Sequence, residues 1–271
     1  MDSRPIGIFD SGLGGLSAVK AVLELLPNEN IVYFGDTARV PYGSRSNETI
    51  EKFAKEDIAF LQQFDCKLIM VACGTVSSVA KKATSEIKEP FIGVVKPASN
   101  AAAKATRNGV IGVMGTSATI NSGSYSNEIA KINPQAKVVG VSCPLLVTLV
   151  ENNWIDEDNY IAREIIKRYI TPLMEQGADT IILGCTHFPH LAPIIQSVAG
   201  DDVVLIDTGL EAAREAQRVL RAQDMESPAE NSGEAHYYVS DKTQNFSAVA
   251  QTLLGRDISG EITFMNVKDR L

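Results

Sequence analysis

Two cysteines stand in similar local sequences, each directly after a short apolar run. Cys73 lies in Ala72-Cys73-Gly74-Thr75, and Cys185 lies in Gly184-Cys185-Thr186-His187. A free thiol has a pKa of ~8.5, so near neutral pH one thiol can serve as an acid while another, as the thiolate, serves as a base. Racemisation needs such a pair, because a proton leaves one face of a carbon and another returns to the opposite face. The two cysteines therefore indicate two-base proton transfer.

Each of these thiols needs a neighbour that manages its proton. Asp10 is the candidate for Cys73, and His187 is the candidate for Cys185. Two simpler interpretations stay open: Asp10 as a turn or cap residue before Gly12, and His187 as a hydrogen-bonded buried imidazole. The other two cysteines, at positions 66 and 143, are expected to be small buried hydrophobes.

Hydroxyl and glycine residues cluster at or just after the ends of the predicted strands. Hydroxyls and the N–H groups of helix N-termini hold anions without a formal positive charge, so the cluster predicts a carboxylate site. Any one threonine here is more often a helix cap. Pro41-Tyr42-Gly43-Ser44 is a turn by composition, in which Tyr42 alone is typical of an exposed loop aromatic. The candidate ligands are Ser11, Gly43, Thr75, Thr116, Thr119 and Thr186.

Three cofactor sites are weaker alternatives. Gly12-Leu13-Gly14-Gly15 follows a predicted strand, but its spacing is not GxGxxG and no Walker lysine follows, which disfavours a nucleotide. Cys185, His187 and His190 lack a fourth ligand at a zinc-like spacing. Lys96 precedes a proline at the end of a strand, but nothing else indicates a pyridoxal site. We therefore expect neither a metal nor a cofactor.

The segments that must position these residues are short apolar strands alternating with helices. The strands are rich in Ile and Val and do not alternate with polar residues, as is typical of parallel sheets buried on both faces. Alternation with amphipathic helices predicts doubly wound α/β architecture. The candidate strands are Ile6 to Phe9, Ile31 to Phe34, Leu68 to Ala72, Phe91 to Val95, Val110 to Met114, Val138 to Val141, Thr180 to Leu183 and Val203 to Ile206.

The eight strands divide into two sets of four, and the two sets have similar sequence motifs at corresponding strand ends. The first strand of each set ends in a small polar motif, and the third ends at a cysteine next to a hydroxyl residue. Because ligands bind beyond the carboxyl ends of such strands, we predict two pseudo-symmetric domains with the active site in the cleft between them.

The C-terminal segment is assigned to the first of these domains. Residues 223–234 are polar and predict a surface loop, followed by a strand over His236 to Val239 and a helix over Phe246 to Leu254. The predicted first domain comprises 1–98 and 208–271, and the second comprises 99–207.

Composition bounds the possible partners and location. The 271 residues include 25 Lys+Arg and 33 Asp+Glu, a net charge of −8, and no basic stripe, so neither nucleic acid nor an anionic membrane is expected as a partner. No apolar run approaches the roughly 18 residues of a membrane span, and no signal peptide is recognisable. Four cysteines without a CxxC pair do not form a disulfide framework. We expect a cytoplasmic protein with reduced thiols.

Several ordered motifs make the sequence similar to one known family. From Gly7 to about Thr208 the chain resembles the glutamate racemases of the cofactor-independent aspartate/glutamate racemase superfamily. The motifs that carry the resemblance are Phe9-Asp10-Ser11-Gly12-Leu13-Gly14-Gly15, Gly35-Asp36-Thr37-Ala38, Pro41-Tyr42-Gly43, Ala72-Cys73-Gly74-Thr75, Gly115-Thr116 with Thr119, Cys143-Pro144 through Glu151, and Leu183-Gly184-Cys185-Thr186-His187-Phe188-Pro189.

The resemblance implies interconversion of L- and D-glutamate, which supplies D-glutamate for peptidoglycan. It implies that Cys73 takes the proton from D-glutamate and Cys185 from L-glutamate, with Asp10 and His187 assisting and Glu151 orienting the histidine. It also implies two pseudo-symmetric α/β domains, usually as a homodimer. The positions that match substrate contacts are Asp10, Ser11, Pro41, Tyr42, Gly43, Cys73, Gly74, Thr75, Thr116, Thr119, Cys185, Thr186 and His187.

One position departs from the pattern of the family, which most often has Asn where this chain has Gly74. Glycine offers only its backbone N–H there and room for water. A lost hydrogen bond to a charged group costs roughly 1.5–3 kcal/mol unless something replaces it. We therefore expect a functional racemase with an altered affinity or pocket shape.

Three other functions remain possible on the sequence. A racemase for aspartate or another acidic amino acid differs only in the length of its substrate. A non-catalytic amino-acid binding protein would also use a cleft with neutral donors, but it would not need two mirrored cysteines. A thiol redox protein would need paired cysteines, which are not arranged as CxxC here.

Overall fold

Short Ile- and Val-rich runs form the strands, and amphipathic segments between them form the helices. The computed structural model describes residues 1–242 and 246–265. The strands are β1 (Ile6–Asp10), β2 (Ile31–Gly35), β3 (Leu68–Val71), β4 (Phe91–Gly93), β5 (Val110–Gly115), β6 (Lys137–Ser142), β7 (Thr180–Leu183), β8 (Val204–Asp207), β9 (Ala235–Val239) and β10 (Ile262–Phe264). The α-helices are α1 (Leu16–Leu25), α2 (Asn47–Gln62), α3 (Gly74–Val79), α4 (Lys81–Ser85), α5 (Val95–Ala105), α6 (Ser117–Asn121), α7 (Ser124–Ile132), α8 (Pro144–Glu151), α9 (Tyr160–Glu175), α10 (Ala192–Ala199), α11 (Thr208–Ala222) and α12 (Phe246–Leu254).

The strands form two parallel sheets with the same internal order. The first sheet runs β10-β9-β2-β1-β3-β4, and the second runs β6-β5-β7-β8. In each, the second strand of the set lies beside the first, and the third and fourth follow on the other side. The predicted pseudo-symmetric, doubly wound α/β architecture is confirmed. We call β1–β4 with β9 and β10 the first half, and β5–β8 the second half.

The limits of some strands differ from those predicted. The fourth strand ends at Gly93 rather than Val95, because Val95 already begins α5. The last strand of the second half is shifted by one residue, to Val204–Asp207. The sixth strand is longer than predicted, Lys137–Ser142, and lies half-exposed at a sheet edge. Strand β10 was not predicted, since three partly exposed residues give little pattern.

The helices cover the sheets with their apolar faces, which is where the core lies. On α2 one face is packed against the sheet, with Ile50, Ala54, Ile58 and Leu61 all buried. Burying side chains of the larger kind contributes about 1.5–3 kcal/mol each. Helix α1 packs against α11, where a Cβ atom on Gly209 would lie 3.2 Å from Ala18. This contact joins helices that precede and follow the second half along the chain.

A buried ion pair anchors the polar loop at the amino ends of the first sheet. Lys67 Nζ lies 2.5 Å from Glu29 Oε2, and both side chains are almost fully buried. Lys67 also donates to the carbonyl of Met225 at 2.7 Å, and Glu29 accepts from the N–H of Ser227 at 2.8 Å. The loop over 223–234 is therefore tied to the sheet although its sequence is polar.

The C-terminal strands extend the first sheet, while the domain boundaries stay a prediction. Strand β9 pairs with β2, and β10 pairs with β9. The chain passes between the sheets at α5 and again from β8 into α11, close to the predicted boundaries at 98/99 and 207/208. Residues 243–245 and 266–271 of the predicted first domain lie outside the described residues. No helix in the described part of the chain is long and apolar enough to cross a membrane.

Candidate active site

The carboxyl ends of the two sheets meet at one small cavity. In the first half Val71 of β3 pairs with Phe9, in the second Leu183 of β7 pairs with Met114, and each cysteine follows two residues later. The cavity holds about 30 Å³, room for one or two water molecules. It is lined by Ser11, Val40, Pro41, Tyr42, Gly43, Cys73, Gly74, Thr75, Thr116, Val147, Cys185, Thr186 and His187.

The second-half thiol lies beside a charged histidine. Cys185 Sγ is 3.7 Å from His187 Nδ1, within hydrogen-bond reach for sulfur. His187 Nε2 lies 3.4 Å from Glu151 Oε1, an ion-pair distance without hydrogen-bond geometry. Burial alone would lower the pKa of His187, but its contacts with Cys185 and Glu151 raise the pKa to about 10. At neutral pH an imidazolium therefore faces the sulfur of Cys185.

The first-half thiol has a different environment. Cys73 Sγ donates to Ser11 Oγ at 3.4 Å, whereas Asp10, its expected partner, makes no hydrogen bond to it. Burial and then the charge of Asp10 raise the pKa of Cys73 to about 12. Cys73 is thus a neutral thiol at physiological pH, in the acid form.

Asp10 joins the two halves beneath the cavity. Its carboxylate accepts from the N–H of Gly12 at 3.0 Å and from Thr186 Oγ1 of the second half at 3.3 Å. Burial raises the pKa of Asp10, against the nearby charge of His187 and the backbone N–H groups of its own turn. Asp10 therefore does form the turn hydrogen bond of the simpler interpretation, and it also contacts the opposite half.

A chain of hydroxyls crosses the cleft on the other side of the cavity. Thr75 Oγ1 and Thr116 Oγ1 lie 2.9 Å apart, and Thr116 Oγ1 donates to Thr119 Oγ1 at 3.0 Å. Thr116 also caps α6 by accepting from the N–H of Thr119 at 3.3 Å. Thr119 thus supports Thr116 and is not among the residues that line the cavity.

The Pro41–Gly43 turn forms one wall of the cavity, and its aromatic is buried rather than exposed. Tyr42 is 1% exposed. Its hydroxyl contacts the carboxylates of Asp36 and, at 2.9 Å, of Asp57. The hydroxyl is therefore not available to a ligand in the cavity, and only the other atoms of Tyr42 are. The backbone at Gly43 approaches Thr116 so closely that a Cβ atom would lie 2.5 Å from Thr116 Cβ. The turn is therefore pressed against the second half.

The position that a side chain at Gly74 would occupy is already filled. A Cβ atom at this position would overlap the carbonyl oxygen of Gly184. The two cysteine-bearing strand ends thus touch through backbone atoms, and that carbonyl fills the place where a longer side chain would begin.

Several residues of this site carry no clear signal in the sequence. Val40 and Val147 line the cavity as ordinary apolar neighbours of the motifs. Asp36 follows β2 directly, so the strand-end rule could have found it. Asp57 lies within α2 and looks like any helix-surface carboxylate.

The described residues contain no group of three or more His, Cys, Asp or Glu arranged to hold a metal. His190 is partly buried, and burial and the charge of His187 lower its pKa to about 4. Its Nε2 has no hydrogen-bond partner among the described residues. The groups of this site that are suited to proton transfer are therefore the two thiols. Cys185 lies beside an imidazolium, and Cys73 is in the acid form.

Known proteins are similar to this chain in both sequence and fold. The sequence matches the Asp/Glu/Hydantoin racemase family over residues 7–216. It is 43% identical over 256 residues to a glutamate racemase of Geobacter metallireducens, covering 94% of both chains. It is 42% identical over 257 residues to one of Neisseria meningitidis serogroup A, covering 93% of both. The glutamate racemase of Francisella tularensis, solved in complex with D-glutamate, superposes with a TM-score of 0.91 at 34% identity, covering 99% of this chain and 100% of that one.

Proposed function

The chain belongs to the Asp/Glu/hydantoin racemase family, and on this basis we propose that it interconverts L- and D-glutamate by proton transfer between Cys73 and Cys185, without a cofactor. The observation that carries the proposal is that both thiols line one cavity, each from the end of an equivalent strand. Such a cavity offers an acid and a base to opposite faces of one carbon.

The proposed reaction needs no proton donor or acceptor besides the two sulfurs. Starting from L-glutamate, the Cys185 thiolate takes the α-proton while the Cys73 thiol gives its proton to the opposite face. The C–H bond on one face breaks and a new one forms on the other, and the enzyme is left with a Cys185 thiol and a Cys73 thiolate. Reversal of these roles converts D-glutamate to L-glutamate.

The environments of the two sulfurs favour one resting form. Cys185 faces the imidazolium of His187, and the buried position of Cys73 beside Asp10 keeps the Cys73 thiol protonated. Cys73 is therefore the acid in the proposed conversion of L-glutamate. After each turnover a proton must return from Cys185 to Cys73 before L-glutamate is bound again.

Glutamate is proposed as the substrate because the relatives with 42–43% identity over most of the chain are glutamate racemases. The neutral donors of the cavity suit its carboxylates, since Ser11, Thr75, Thr116 and Thr186 surround the thiols. The same donors would accept aspartate, so aspartate is the competing substrate that the test includes.

Three further parts of the proposal rest on the resemblance to the family. We propose that the D-glutamate formed supplies peptidoglycan synthesis, that the protein is cytoplasmic and that it acts as a homodimer. Reduced thiols suit the cytoplasm, and all four cysteines of this chain are free.

Circular dichroism of L-glutamate, and separately of L-aspartate, with the purified protein in D₂O tests the proposal. Decay of the glutamate signal, with deuterium uptake at the α-carbon by proton NMR, is the expected result. Decay for aspartate alone would move the substrate to aspartate. No change in either signal with folded, reduced protein would refute the racemase and favour an amino-acid binding protein.

A further inference from the structure

Behind the Pro41–Gly43 turn lies a buried group of charged side chains. Asp36 follows β2 and Asp57 lies in the middle of α2, and both are fully buried. Arg39 donates to Asp36 Oδ2 at 2.5 Å and to Asp57 Oδ1 at 2.9 Å, and it also pairs with Glu56. The three carboxylates thus share one guanidinium.

The hydrogen bonds of Tyr42 require a proton on one of the two buried aspartates. Asp36 accepts from three donors: Arg39 Nε, the hydroxyl of Ser240 at 2.7 Å and the hydroxyl of Tyr42. A phenol has a single proton to give. Because that proton serves only one of the two contacts of Tyr42 Oη, with Asp36 and, at 2.9 Å, with Asp57, the other contact requires a proton on the carboxyl group.

The electrostatics of the group place this proton on Asp57. Burial and then the negative charge of Asp36 raise the pKa of Asp57 well above its usual value. Burial and the two carboxylates likewise raise the pKa of Tyr42, which keeps its proton. Arg39 is held in place by the ring of Phe53, 4.1 Å from its guanidinium carbon.

We propose that Asp57, as a neutral carboxylic acid, is a positioning residue that holds the Tyr42–Gly43 turn against the second half and thereby sets the affinity for substrate. It reaches the cavity through Tyr42, whose neighbour Gly43 contacts Thr116. The inference rests on the proposed function, because the affected quantity is the affinity for glutamate. It adds a residue from a helix that contributes nothing to the lining of the cavity.

The test compares Asp57→Asn with Asp57→Ala in glutamate racemisation. Asparagine keeps both interactions, since its amide N–H₂ can donate to Tyr42 and its oxygen can accept from Arg39. We expect KM within about twofold of wild type for Asp57→Asn. For Asp57→Ala we expect KM to rise roughly five- to tenfold, with kcat changed by less than about threefold.

A buried carboxylate far from the cavity provides the control. Glu29→Gln weakens the ion pair with Lys67 at the opposite end of the sheet, so it lowers stability without changing KM. The inference is overturned if Asp57→Asn raises KM as much as Asp57→Ala does, or if Asp57→Ala shifts KM no more than Glu29→Gln does. If Asp57→Ala does not fold, Tyr42→Phe replaces it: a severalfold higher KM supports the inference, and an unchanged KM overturns it. An inactive wild-type protein in the same assay would instead refute the proposed function.

Discussion

At the scale of residues, the two thiols differ in what surrounds them although they occupy equivalent positions. Cys185 faces an imidazolium, while Cys73 faces a serine hydroxyl and the charge of Asp10. Pseudo-symmetry therefore places the sulfurs, and the neighbouring side chains make their environments unequal. In the proposed reaction one sulfur must be a thiol and the other a thiolate, because two thiols would lack a base and two thiolates would lack an acid.

The close approach at Gly74 predicts the effect of restoring the residue most frequent in the family. An Asn side chain would begin where the Gly184 carbonyl lies, so Gly74→Asn should push the two strand ends apart. We expect kcat/KM for glutamate to fall at least about tenfold, since misplacement by about 1 Å can cost a hundredfold in rate. Steady-state kinetics check this, with Gly260→Asn as control, because nothing lies within 4 Å of a Cβ atom at that exposed glycine and its φ is not positive. An unchanged kcat/KM in Gly74→Asn would show that this contact is unimportant in solution.

The charge of His187 predicts the alkaline side of the pH profile. Because its pKa is raised to about 10, the imidazolium and its effect on Cys185 are lost as the pH rises through that value. Glu151→Gln removes one cause of the raised pKa, so the alkaline limb of kcat/KM should move to lower pH by roughly one unit, less if solvent screens the half-exposed carboxylate. Glu157→Gln, on the exposed loop that follows, should leave the profile unchanged. An alkaline limb unmoved by Glu151→Gln would contradict the role of this ion pair.

The sequence predicted most of the residues that line the cavity, because they directly follow strands. Cys73, Cys185, Thr116 and His187 all obey that rule. Asp57 could not be predicted by this rule, because it lies in a helix. Nothing in a helical stretch distinguishes a carboxylate that will be buried from one that faces solvent. Its partners are distant in sequence, and only the fold brings them together.

At the scale of elements, continuous apolar runs predict where the central strands lie in the sequence, whereas they do not predict the strands at the edges of the sheets. Central strands such as β1, β3 and β7 are buried throughout and were recognised from their composition. The edge strand β10 is short and partly exposed, so its place depends on pairing with β9 rather than on a local pattern. A short window of the sequence carries no information about long-range strand pairing of this kind.

The ion pair at the amino ends of the first sheet predicts a stability effect without an activity effect. Lys67→Met leaves Glu29 buried without its cation, which should lower the free energy of unfolding by about 3–5 kcal/mol. The double variant Lys67→Met with Glu29→Gln should recover part of that loss, because it no longer buries an unpaired charge. Urea unfolding measures both, and kcat/KM of the folded variants should match wild type. A Lys67→Met protein as stable as wild type would show that the pair contributes little.

At the scale of the whole molecule, the structure is a closed form of the cleft. The cavity has room for one or two water molecules, far too little for an amino acid. Contacts across the cleft keep it closed: Thr75 with Thr116, the hydroxyl of Ser124 with that of Ser78 at 2.9 Å, and the hydroxyl of Ser17 with the carbonyl of Thr186 at 3.1 Å. The halves must therefore separate for glutamate to enter, and these contacts must be made again, or shifted, around the substrate.

The central claim is that each half supplies one thiol to one face of the substrate. Racemisation rates alone do not test it, because the two enantiomers have equal free energy and kcat/KM must be the same in both directions for any variant. Exchange of the α-proton with solvent does distinguish the faces. It requires only the base on the side from which the proton leaves.

The most direct measurement is proton NMR of L- and D-glutamate, each incubated in D₂O with Cys73→Ser and with Cys185→Ser. We predict that Cys73→Ser exchanges the α-proton of L-glutamate but not that of D-glutamate, and that Cys185→Ser does the reverse, while neither racemises at more than a small fraction of the wild-type rate. The same enantiomer preference in both variants, or exchange of both enantiomers by either one, would contradict the assignment of one thiol to each face.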